Sequence, residues 1–552
     1  MNRTGLDILI IADKGGFENV AFPVNSAWLS EDGEVMTLQA LRQRALRAAG
    51  LPVTPHEPVR LEDSGKLNGI YLYDYCRRSG LEAELSMTHD PADPNFRAAC
   101  AEKPRVVAIS TTWMLSAKGV RRAVDDIRSL CPDAYIVVGG PLVYNSFNAW
   151  KTVDLKFDPK KLPVGDLLFF YPETGVHDGV DLFIINEQGE DILVEAVRAL
   201  AEGRDPRTLP NVAWPNGRTL EFSQREDRRL SLDDSTVVRW DQIPSRHLPK
   251  IVPMYLSMGC PYKCTFCDYT AFRDYRTKSL DTIRTEMLQL KARRDEIRML
   301  RFVDDTLTAK RLRDVCQLMI DVDLDIPWTS FARADSVSAE NVPLIRKSRC
   351  QSLQLGLESG DDTILLNMDK RATTSQYLRT LEMLNREGVN VRAMLIVGFP
   401  GETPQTVDNT IAFLDRVPTE GEGLFEYVVA SFIVMPLSPV NTNRKLKESF
   451  GLDGVYFKWR HNTMTSDEVW QHHARLLTAP SNDVFVRYHA DDCFPGIPRQ
   501  ELKRILADRQ NLQRLRLRGG GVEEQQLLWD RLESAFVRHQ RAASREASPA
   551  PS

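Results

Sequence analysis

The chain has 552 residues, and its 71 Lys and Arg against 76 Asp and Glu give a formal net charge of −5 at pH 7. The length allows roughly three or four domains, and a composition of 42% hydrophobic and 27% charged residues excludes collagen-like, coiled-coil and disordered proteins. The near balance of charge also argues against a nucleic-acid partner, because nucleic-acid-binding proteins usually carry a basic excess.

The ends of the chain and its cysteines indicate the compartment. Residues 6–12 form an apolar run that stops at Asp13 with no cleavage pattern, so they predict a first β-strand rather than a signal peptide. The longest apolar runs, such as 428–436, are far shorter than a membrane-spanning helix. Nine cysteines, an odd number, do not suit a disulfide framework. We therefore expect a cytoplasmic protein with no membrane partner, and a disordered tail at 541–552.

Strands and helices alternate through residues 1–207. Such alternation is typical of a doubly wound, Rossmann-like α/β domain, which binds ligands at the carboxyl ends of its parallel strands. Two connecting segments, 13–64 and 142–179, are longer than ordinary connections, and either could form a lid. Residues 208–248, rich in Pro, Asn, Asp and Arg, predict a linker. The predicted strands are 6–12, 81–87, 105–112, 134–138 and 180–185, and the predicted helices are 67–78, 117–130 and 190–201.

A second and more regular series occupies residues 249–436. Six predicted strands alternate with five helical segments, which indicates a partial (β/α)6 barrel of the TIM type. Residues that do chemistry are then expected on the loops after the strands. Residues 437–540 predict a mainly helical C-terminal region. The strands are 251–258, 299–303, 328–332, 352–357, 391–397 and 425–434, and the helices are 280–294, 311–320, 339–347, 374–387 and 404–417.

The loop after the first of these strands carries three cysteines in the frame Cys260-x3-Cys264-x2-Cys267. Three thiolates on a tight loop can hold three irons of a [4Fe–4S] cluster and leave the fourth iron open for another ligand. A structural zinc site would instead need a fourth protein ligand. The nearest histidines, His247 and His461, are not close in sequence, so the spacing favours the iron–sulfur cluster.

This frame, with Phe266 just before its last cysteine, resembles the cluster loop of radical S-adenosylmethionine (SAM) enzymes. Three later segments agree with that family in order: FVDDT at 302–306, LGLESG at 355–360 and AMLIVGFPGET at 393–403. The resemblance covers about residues 250–435 and implies that SAM binds to the cluster of Cys260, Cys264 and Cys267. It assigns SAM contacts to Phe266, Asp304, Asp305, Arg333, Glu358 and Gly398.

These SAM residues also have structural alternatives. Asp304 and Asp305 could cap a helix, and Gly398 could allow a turn after a buried strand. Arg333 could hold the SAM carboxylate with its guanidinium fork, or it could pair with a carboxylate of the protein surface.

The first domain resembles the cobalamin-binding domain of the cobalamin-dependent branch of the same family. Segments 67–80, 109–112, 137–140 and 181–190 carry this resemblance. The alternative is that the paired glycines only turn a corner. The chain has no Asp-x-His-x-x-Gly motif, so we expect no cobalt-binding histidine from that motif. The resemblance assigns cobalamin contacts to Ser110, Thr111, Thr112, Gly139, Gly140 and Glu187.

Together the two resemblances imply a cobalamin-dependent radical SAM methyltransferase. It would methylate an unactivated carbon of a specialised metabolite or of an amino-acid- or peptide-derived substrate. An electron donor such as flavodoxin or ferredoxin would serve the cluster, and residues 437–540 would close the substrate cavity. Two other hypotheses remain: a radical SAM rearrangement, cyclisation or ring contraction, and a non-enzymatic cobalamin- or metal-binding sensor.

Overall fold

The computed structural model describes residues 5–13, 29–31, 34–53, 66–114, 116–152, 177–217, 219–269, 274–487 and 497–546. Large parts of the two predicted lids, 13–64 and 142–179, lie outside the described residues. Within the described parts, the first of these segments contains a helix and the second begins inside one.

The N-terminal domain is built on a seven-stranded sheet in the order β2-β1-β3-β4-β5-β6-β7. Strands β1 to β5 are parallel, as predicted, and the order reverses at β1, which places a ligand-binding crevice at the carboxyl ends of β1 and β3. The strands are β1 Ile8–Ile11, β2 Ala83–Ser86, β3 Val106–Ser110, β4 Tyr135–Gly139, β5 Leu182–Ile184, β6 Val212–Asn216 and β7 Thr219–Phe222.

The predicted linker at 208–248 differs from the structure, because β6 and β7 belong to it and extend the sheet as an antiparallel hairpin. Asn216 pairs with Thr219 at the end of the hairpin, so the tight turn begins at Gly217, which has a φ of +61°. Glycine suits the first position of such a turn, because a positive φ angle is needed there. The polar composition around it concealed this short signal.

Helices cover both faces of the sheet and bury apolar residues in two cores. In α4, for example, Val120, Val124 and Ile127 are buried at helical spacing, and the Ser116 hydroxyl caps the first turn. The helices are α1 Leu38–Ala48, α2 Leu67–Arg78, α3 Pro94–Ala101, α4 Ala117–Leu130, α5 Pro141–Thr152 and α6 Glu190–Ala201.

The second domain is an open barrel of parallel strands in simple chain order, with β8 and β14 as its two edges. Six strands agree with the prediction, and the short seventh strand, β14, was not predicted. The strands are β8 Ile251–Met254, β9 Met299–Leu307, β10 Trp328–Ala332, β11 Cys350–Glu358, β12 Asn390–Val397, β13 Phe425–Ser431 and β14 Phe485–Val486. The helices outside it are α7 Leu280–Ala292, α8 Ala309–Asp321, α9 Val342–Lys347, α10 Asp362–Asn367, α11 Thr374–Arg386 and α12 Pro404–Leu414.

The C-terminal region divides into two parts. A small antiparallel sheet and the helix Val469–Thr478 pack at the barrel. Helices Arg499–Leu517 and Val522–Glu546 form a hairpin, in which the first helix packs against the edge strand Phe485–Val486 and the second against α1 of the first domain. There Arg44 lies 4.3 Å from the centre of the Trp529 ring. The elements are α13 Arg444–Ser449, strands Asp453–Val455, Lys458–His461 and Met464–Thr465, α14 Val469–Thr478, α15 Arg499–Leu517 and α16 Val522–Glu546.

The predicted disordered tail begins too early, because α16 continues to Glu546. The residues from 541 to 546 include Ala, Arg and Glu, which favour helix. Residues 547–552 lie outside the described residues. Of the helices that the structure describes, none is both long and apolar enough to cross a membrane.

Candidate functional site

The three-cysteine loop is fastened at its base and in its middle. Ser257–Met258 pairs antiparallel with Arg276–Thr277, which closes the base of the loop. Thr265 donates its backbone N–H to the Met368 carbonyl and its hydroxyl to the Asn367 carbonyl, both at 2.9 Å. The middle of the loop is therefore held against the end of α10.

Burial and the neighbouring thiols raise the pKa of two cysteines in this loop. Burial raises the pKa of Cys260, and the Cys264 thiol adds to that increase. Burial likewise raises the pKa of Cys267 to about 12, with smaller contributions from Asp268, Cys264 and Cys260. Buried thiolates require a compensating cation, which iron supplies, so this donor set fits three irons of a [4Fe–4S] cluster. Within the described ranges, no group of three or more His, Cys, Asp or Glu side chains is arranged to hold a single metal ion.

Arg333 places a positive charge beside this loop. Its Nη1 lies 3.8 Å from Cys264 Sγ. Its Nε and Nη2 donate to the two carboxylate oxygens of Asp335 at 2.9 and 3.3 Å, and its guanidinium lies 3.8 Å above the Tyr262 ring. The structure thus shows the protein carboxylate pairing that was the alternative for Arg333, and its SAM contact stays a prediction.

The adjacent residues Asp304 and Asp305 have different environments. Asp304 is 1% exposed and accepts hydrogen bonds from the Leu256 N–H at 3.2 Å and from the Ser257 hydroxyl at 2.6 Å. Burial raises its pKa to about 7. Asp304 therefore anchors the start of the cluster loop, and its contact with SAM stays a prediction. Asp305 accepts from the Gly259 N–H at 2.9 Å and also lines a cavity. Both lie within β9, so neither caps a helix.

Glu358 and Phe266, both predicted SAM contacts, lie near the same lysine. Glu358 ends β11 with a φ of +65° and pairs with Lys370 Nζ at 2.8 Å. Both side chains of this pair are almost completely buried. Lys370 Nζ also lies 5.9 Å from the centre of the Phe266 ring. The left-handed backbone of a buried glutamate is a strained arrangement of the kind found at functional sites.

Gly398 packs against the C-terminal sheet. It has a φ of +93°, its N–H donates to Glu402, and its carbonyl accepts from His461 Nε2 at 3.1 Å. Burial raises the pKa of Glu402 to about 8 and lowers the pKa of His461. Trp459 stacks on His461 and donates its Nε1–H to the Phe432 carbonyl at 2.9 Å. The structure therefore gives Gly398 a packing role, and its contact with SAM stays a prediction.

A cavity of about 500 Å³ lies between the N-terminal domain and the barrel. One wall consists of the carboxyl ends of β3, β4 and β5 with parts of α2, α5 and α6. The opposite wall consists of the segment after β8 and of β9 itself, together with residues 433–437 and 456–457. The volume is in the range of small-molecule and cofactor sites. All the residues assigned to cobalamin line this cavity: Ser110, Thr111, Thr112, Gly139, Gly140 and Glu187.

A glycine is needed at position 140 both for the predicted cobalamin contact and for the alternative, a turn of the chain. Its φ is +106°, and a Cβ there would lie 3.0 Å from Thr111 Oγ1. The Thr111 hydroxyl donates to the Gly139 carbonyl at 2.9 Å and accepts from the Leu142 N–H at 3.2 Å. The glycine pair therefore turns the chain into α5 and also lets the cavity approach the backbone.

Arg276 joins the cluster loop to the N-terminal domain. Its Nη1 donates to Gln188 Oε1 at 2.9 Å and to the Leu230 carbonyl at 3.1 Å. Its Nη2 lies 3.7 Å from Glu187 Oε1 and 3.6 Å from Met258 Sδ. One guanidinium thus contacts both walls of the cavity.

Many residues that line the cavity were not singled out from the sequence, and three of them are polar residues on α2 and α6. Asn68 and Tyr71 lie one turn apart on α2, and Glu190 lies in the first turn of α6. They fall within segments that carried the cobalamin resemblance. Asn and Glu are also common at helix starts for capping reasons, so residue type alone could not mark them.

Comparison with known proteins begins with the barrel. Residues 254–414 match the radical SAM superfamily. An uncharacterised methyltransferase of Pyrococcus horikoshii is 24% identical over 274 residues, which are 46% of this chain and 60% of that protein. This chain spans less than two thirds of the length of the curated relatives it matches.

Two solved structures match almost the whole chain. The radical SAM methyltransferase TsrM from Kitasatospora setae, solved with cobalamin and a [4Fe–4S] cluster, is 14% identical with a TM-score of 0.58, and the match covers 98% of this chain and 100% of TsrM. The cobalamin-dependent SAM radical enzyme OxsB, solved with aqua-cobalamin and SAM, is 13% identical with a TM-score of 0.57, over 99% of this chain and 82% of OxsB. The predicted α/β architecture with a helical C-terminal region is confirmed.

Proposed function

We propose that this protein is a cobalamin-dependent methyltransferase. The proposal is supported by residues 254–414, which match the radical SAM superfamily, in a chain with the fold of cobalamin-dependent radical SAM enzymes. The protein would transfer a methyl group from SAM to an unactivated carbon of a small-molecule or peptide-derived substrate. One observation carries the proposal: the residues assigned to cobalamin face Met258, Asp268 and Asp305 across a single cavity. These three residues adjoin the cluster loop.

The residues of the chain have separate tasks in this proposal. Cys260, Cys264 and Cys267 would hold the cluster, and Phe266 and Glu358 would contact SAM at the barrel mouth. When bound, the cluster with SAM supplies one-electron bond cleavage, and cobalamin supplies a carrier for the methyl group. The protein orients these groups and excludes water with the apolar side chains of the cavity wall. That wall includes Ile433, Met435, Leu437 and Phe457.

The proposal can be tested before any substrate is known. The full chain is reconstituted anaerobically with iron, sulfide, cobalamin and a chemical reductant, and is then given SAM with a deuterated methyl group. We expect cluster absorbance, release of 5′-deoxyadenosine and deuterated methylcobalamin by mass spectrometry. SAM cleavage with no label on cobalamin would contradict methyl transfer. Reduced flavodoxin or ferredoxin is expected to replace the chemical reductant.

Two variants separate the cofactors. Cys264→Ser should abolish cluster absorbance and SAM cleavage. Gly140→Val should abolish cobalamin binding and leave cluster absorbance intact, because the new side chain would collide with Thr111 and enter the cavity. Gly203→Val is the matched control, since Gly203 also has a positive φ but has nothing within 4 Å of a new Cβ.

A radical rearrangement, cyclisation or ring contraction is the second candidate, because an anaerobic magnesium-protoporphyrin IX monomethyl ester cyclase of Rubrivivax gelatinosus is 25% identical to this chain over 358 residues. Product mass distinguishes the two functions once a substrate is found. A gain of one methylene unit supports methylation, whereas an isomer or a loss of hydrogen supports the second candidate. A sensor without catalysis is supported by cobalamin binding with no release of 5′-deoxyadenosine.

A further inference from the structure

Two buried oxygens on the wall of the interdomain cavity have no hydrogen-bond partner within the described part of the chain. Asn68 is 5% exposed and Glu190 is 3% exposed, and both line the cavity. Asn68 Nδ2 donates to Ser110 Oγ at 2.5 Å, which leaves Asn68 Oδ1 without a donor. Glu190 Oε2 is likewise unpartnered. A buried polar atom without a hydrogen bond destabilises the folded protein, so these oxygens are suited to a ligand that supplies the missing partners.

Glu190 is buried among groups that do not neutralise its charge. Burial raises its pKa to about 7, and Asp191 and Glu187 contribute in the same direction, while hydrogen bonds from its own N–H and from Tyr71 oppose the rise. From α2 it is also faced by Tyr75 and Cys76. Of the guanidiniums around it, that of Arg276 contacts Glu187 and that of Arg228 contacts Asp191. A neutral Glu190 carboxyl has an O–H that it can donate.

We propose that Asn68 and Glu190 form a recognition site for carboxamide groups in this cavity. Neutral Glu190 donates its O–H to an amide carbonyl, and Asn68 Oδ1 accepts from an amide N–H. Asn68 lies one turn from Tyr71 on α2, and Tyr71 hydrogen-bonds to Glu190 at the start of α6, so both residues line the cavity where α2 and α6 meet. This inference rests on the proposed function, since the corrin ring of cobalamin carries primary amide side chains.

The proposed site predicts that the affinity for cobalamin falls as pH rises. The neutral carboxyl donates and the carboxylate cannot, so binding is strongest below the pKa of Glu190 and weakens above it. For a pKa of about 7, roughly nine tenths of the free protein has a neutral Glu190 at pH 6 and roughly one tenth at pH 8. The dissociation constant should therefore rise about tenfold between these two pH values.

The test uses the full chain with its cluster reconstituted, and cyanocobalamin as the probe, because its axial cyanide does not titrate in this range. Absorbance titrations at pH 6, 7 and 8 give the dissociation constants. Glu190→Gln keeps an N–H donor at every pH, so its dissociation constant should change less than about twofold. Glu202→Gln is the control, because the Glu202 side chain is 58% exposed and does not line the cavity, and it should keep the tenfold dependence of the unmodified protein.

Calorimetry in two buffers of different ionisation enthalpy gives an independent readout at pH 7.5. The unmodified protein should take up protons when cyanocobalamin binds, and Glu190→Gln should take up none. Equal affinity of the unmodified protein at pH 6 and 8, or an equal pH dependence in Glu190→Gln, overturns the inference and leaves the proposed function standing. If the unmodified protein binds no cobalamin at any pH, both fail. If Glu190→Gln does not fold, the proton uptake of the unmodified protein decides.

Discussion

The indole of Trp459 occupies the space that a side chain on Gly398 would need. A Cβ on Gly398 would lie 2.9 Å from Cη2 of Trp459 and 2.6 Å from Cγ2 of Val469. Trp459 also stacks on His461, with ring centres 5.1 Å apart. The C-terminal sheet is therefore packed directly on the loop after β12, so the C-terminal region forms part of the barrel mouth.

Gly398→Ala should destabilise the protein by about 1–3 kcal/mol, because the new methyl group meets packed side chains at an already left-handed backbone position. Urea unfolding measures the change. Gly519→Ala is the control, since Gly519 has a φ of +70° but nothing within 4 Å of its new Cβ. Equal losses in the two variants would show that backbone strain, and not contact with Trp459, sets the cost.

The buried carboxyl of Glu402 should make stability depend on pH. Burial raises its pKa to about 8 from an ordinary value of 4.5. Between these values the folded state holds a proton that the unfolded state releases. The stabilisation that the protonated Glu402 carboxyl gives to the folded state is thus fully present below about pH 4.5. It is lost as pH rises toward 8, and the free energy of unfolding falls by up to about 1.4 kcal/mol per pH unit.

Glu402→Gln should remove this part of the pH dependence. Unfolding free energies of the variant and the unmodified protein are compared at pH 5 and 8. The effects of the other buried carboxyls are the same in both proteins and cancel in this comparison. Glu448→Gln, at a residue whose side chain is 62% exposed, is the control. A difference between Glu402→Gln and the unmodified protein that is equal at both pH values would contradict the assignment.

Helices and strands with a regular spacing of apolar residues could be predicted from the sequence, because that spacing has a local physical cause. Helices α2, α4 and α6 begin and end where the apolar spacing predicts, and the strand Trp328–Ala332 agrees at both ends. The hairpin of β6 and β7 and the strand β14 were missed, because these strands have only two to five residues and tertiary pairing determines them. The extent of α16 was missed for a related reason, since it is stabilised by packing on α1.

The site could be predicted in outline but not in its contacts. The residues assigned to cobalamin do line one cavity, because strand ends of a parallel sheet meet at one edge. Neighbouring residues of a strand point to opposite faces, so Asp304 and Asp305 are expected to differ in environment. The sequence does not show which of the two faces the cavity, because that depends on how β9 packs against the cluster loop. The pairing of Glu358 with Lys370 joins residues on a strand end and a later loop, which no local pattern reveals.

Breaking the pair of Glu358 and Lys370 should be costly. Glu358→Gln leaves the Lys370 ammonium buried without its carboxylate, for which a loss of about 3–5 kcal/mol is expected in urea unfolding. The double variant Glu358→Gln with Lys370→Met should recover most of that loss, because no buried charge remains. A double variant as unstable as the single one would show that Glu358 is needed for another contact.

Arg276 should affect the proposed methyl transfer more than SAM cleavage, because it ties the N-terminal wall of the interdomain cavity to the cluster loop. Hydrogen bonds from a charged group contribute about 1.5–3 kcal/mol. We therefore expect Arg276→Met to lower label transfer to cobalamin by roughly tenfold or more, and to lower release of 5′-deoxyadenosine by less than about threefold. Arg229→Met, which removes an exposed guanidinium paired with Asp274, is the control and should leave both rates unchanged. An equal fall in both rates for Arg276→Met would show that Arg276 supports the cluster loop alone.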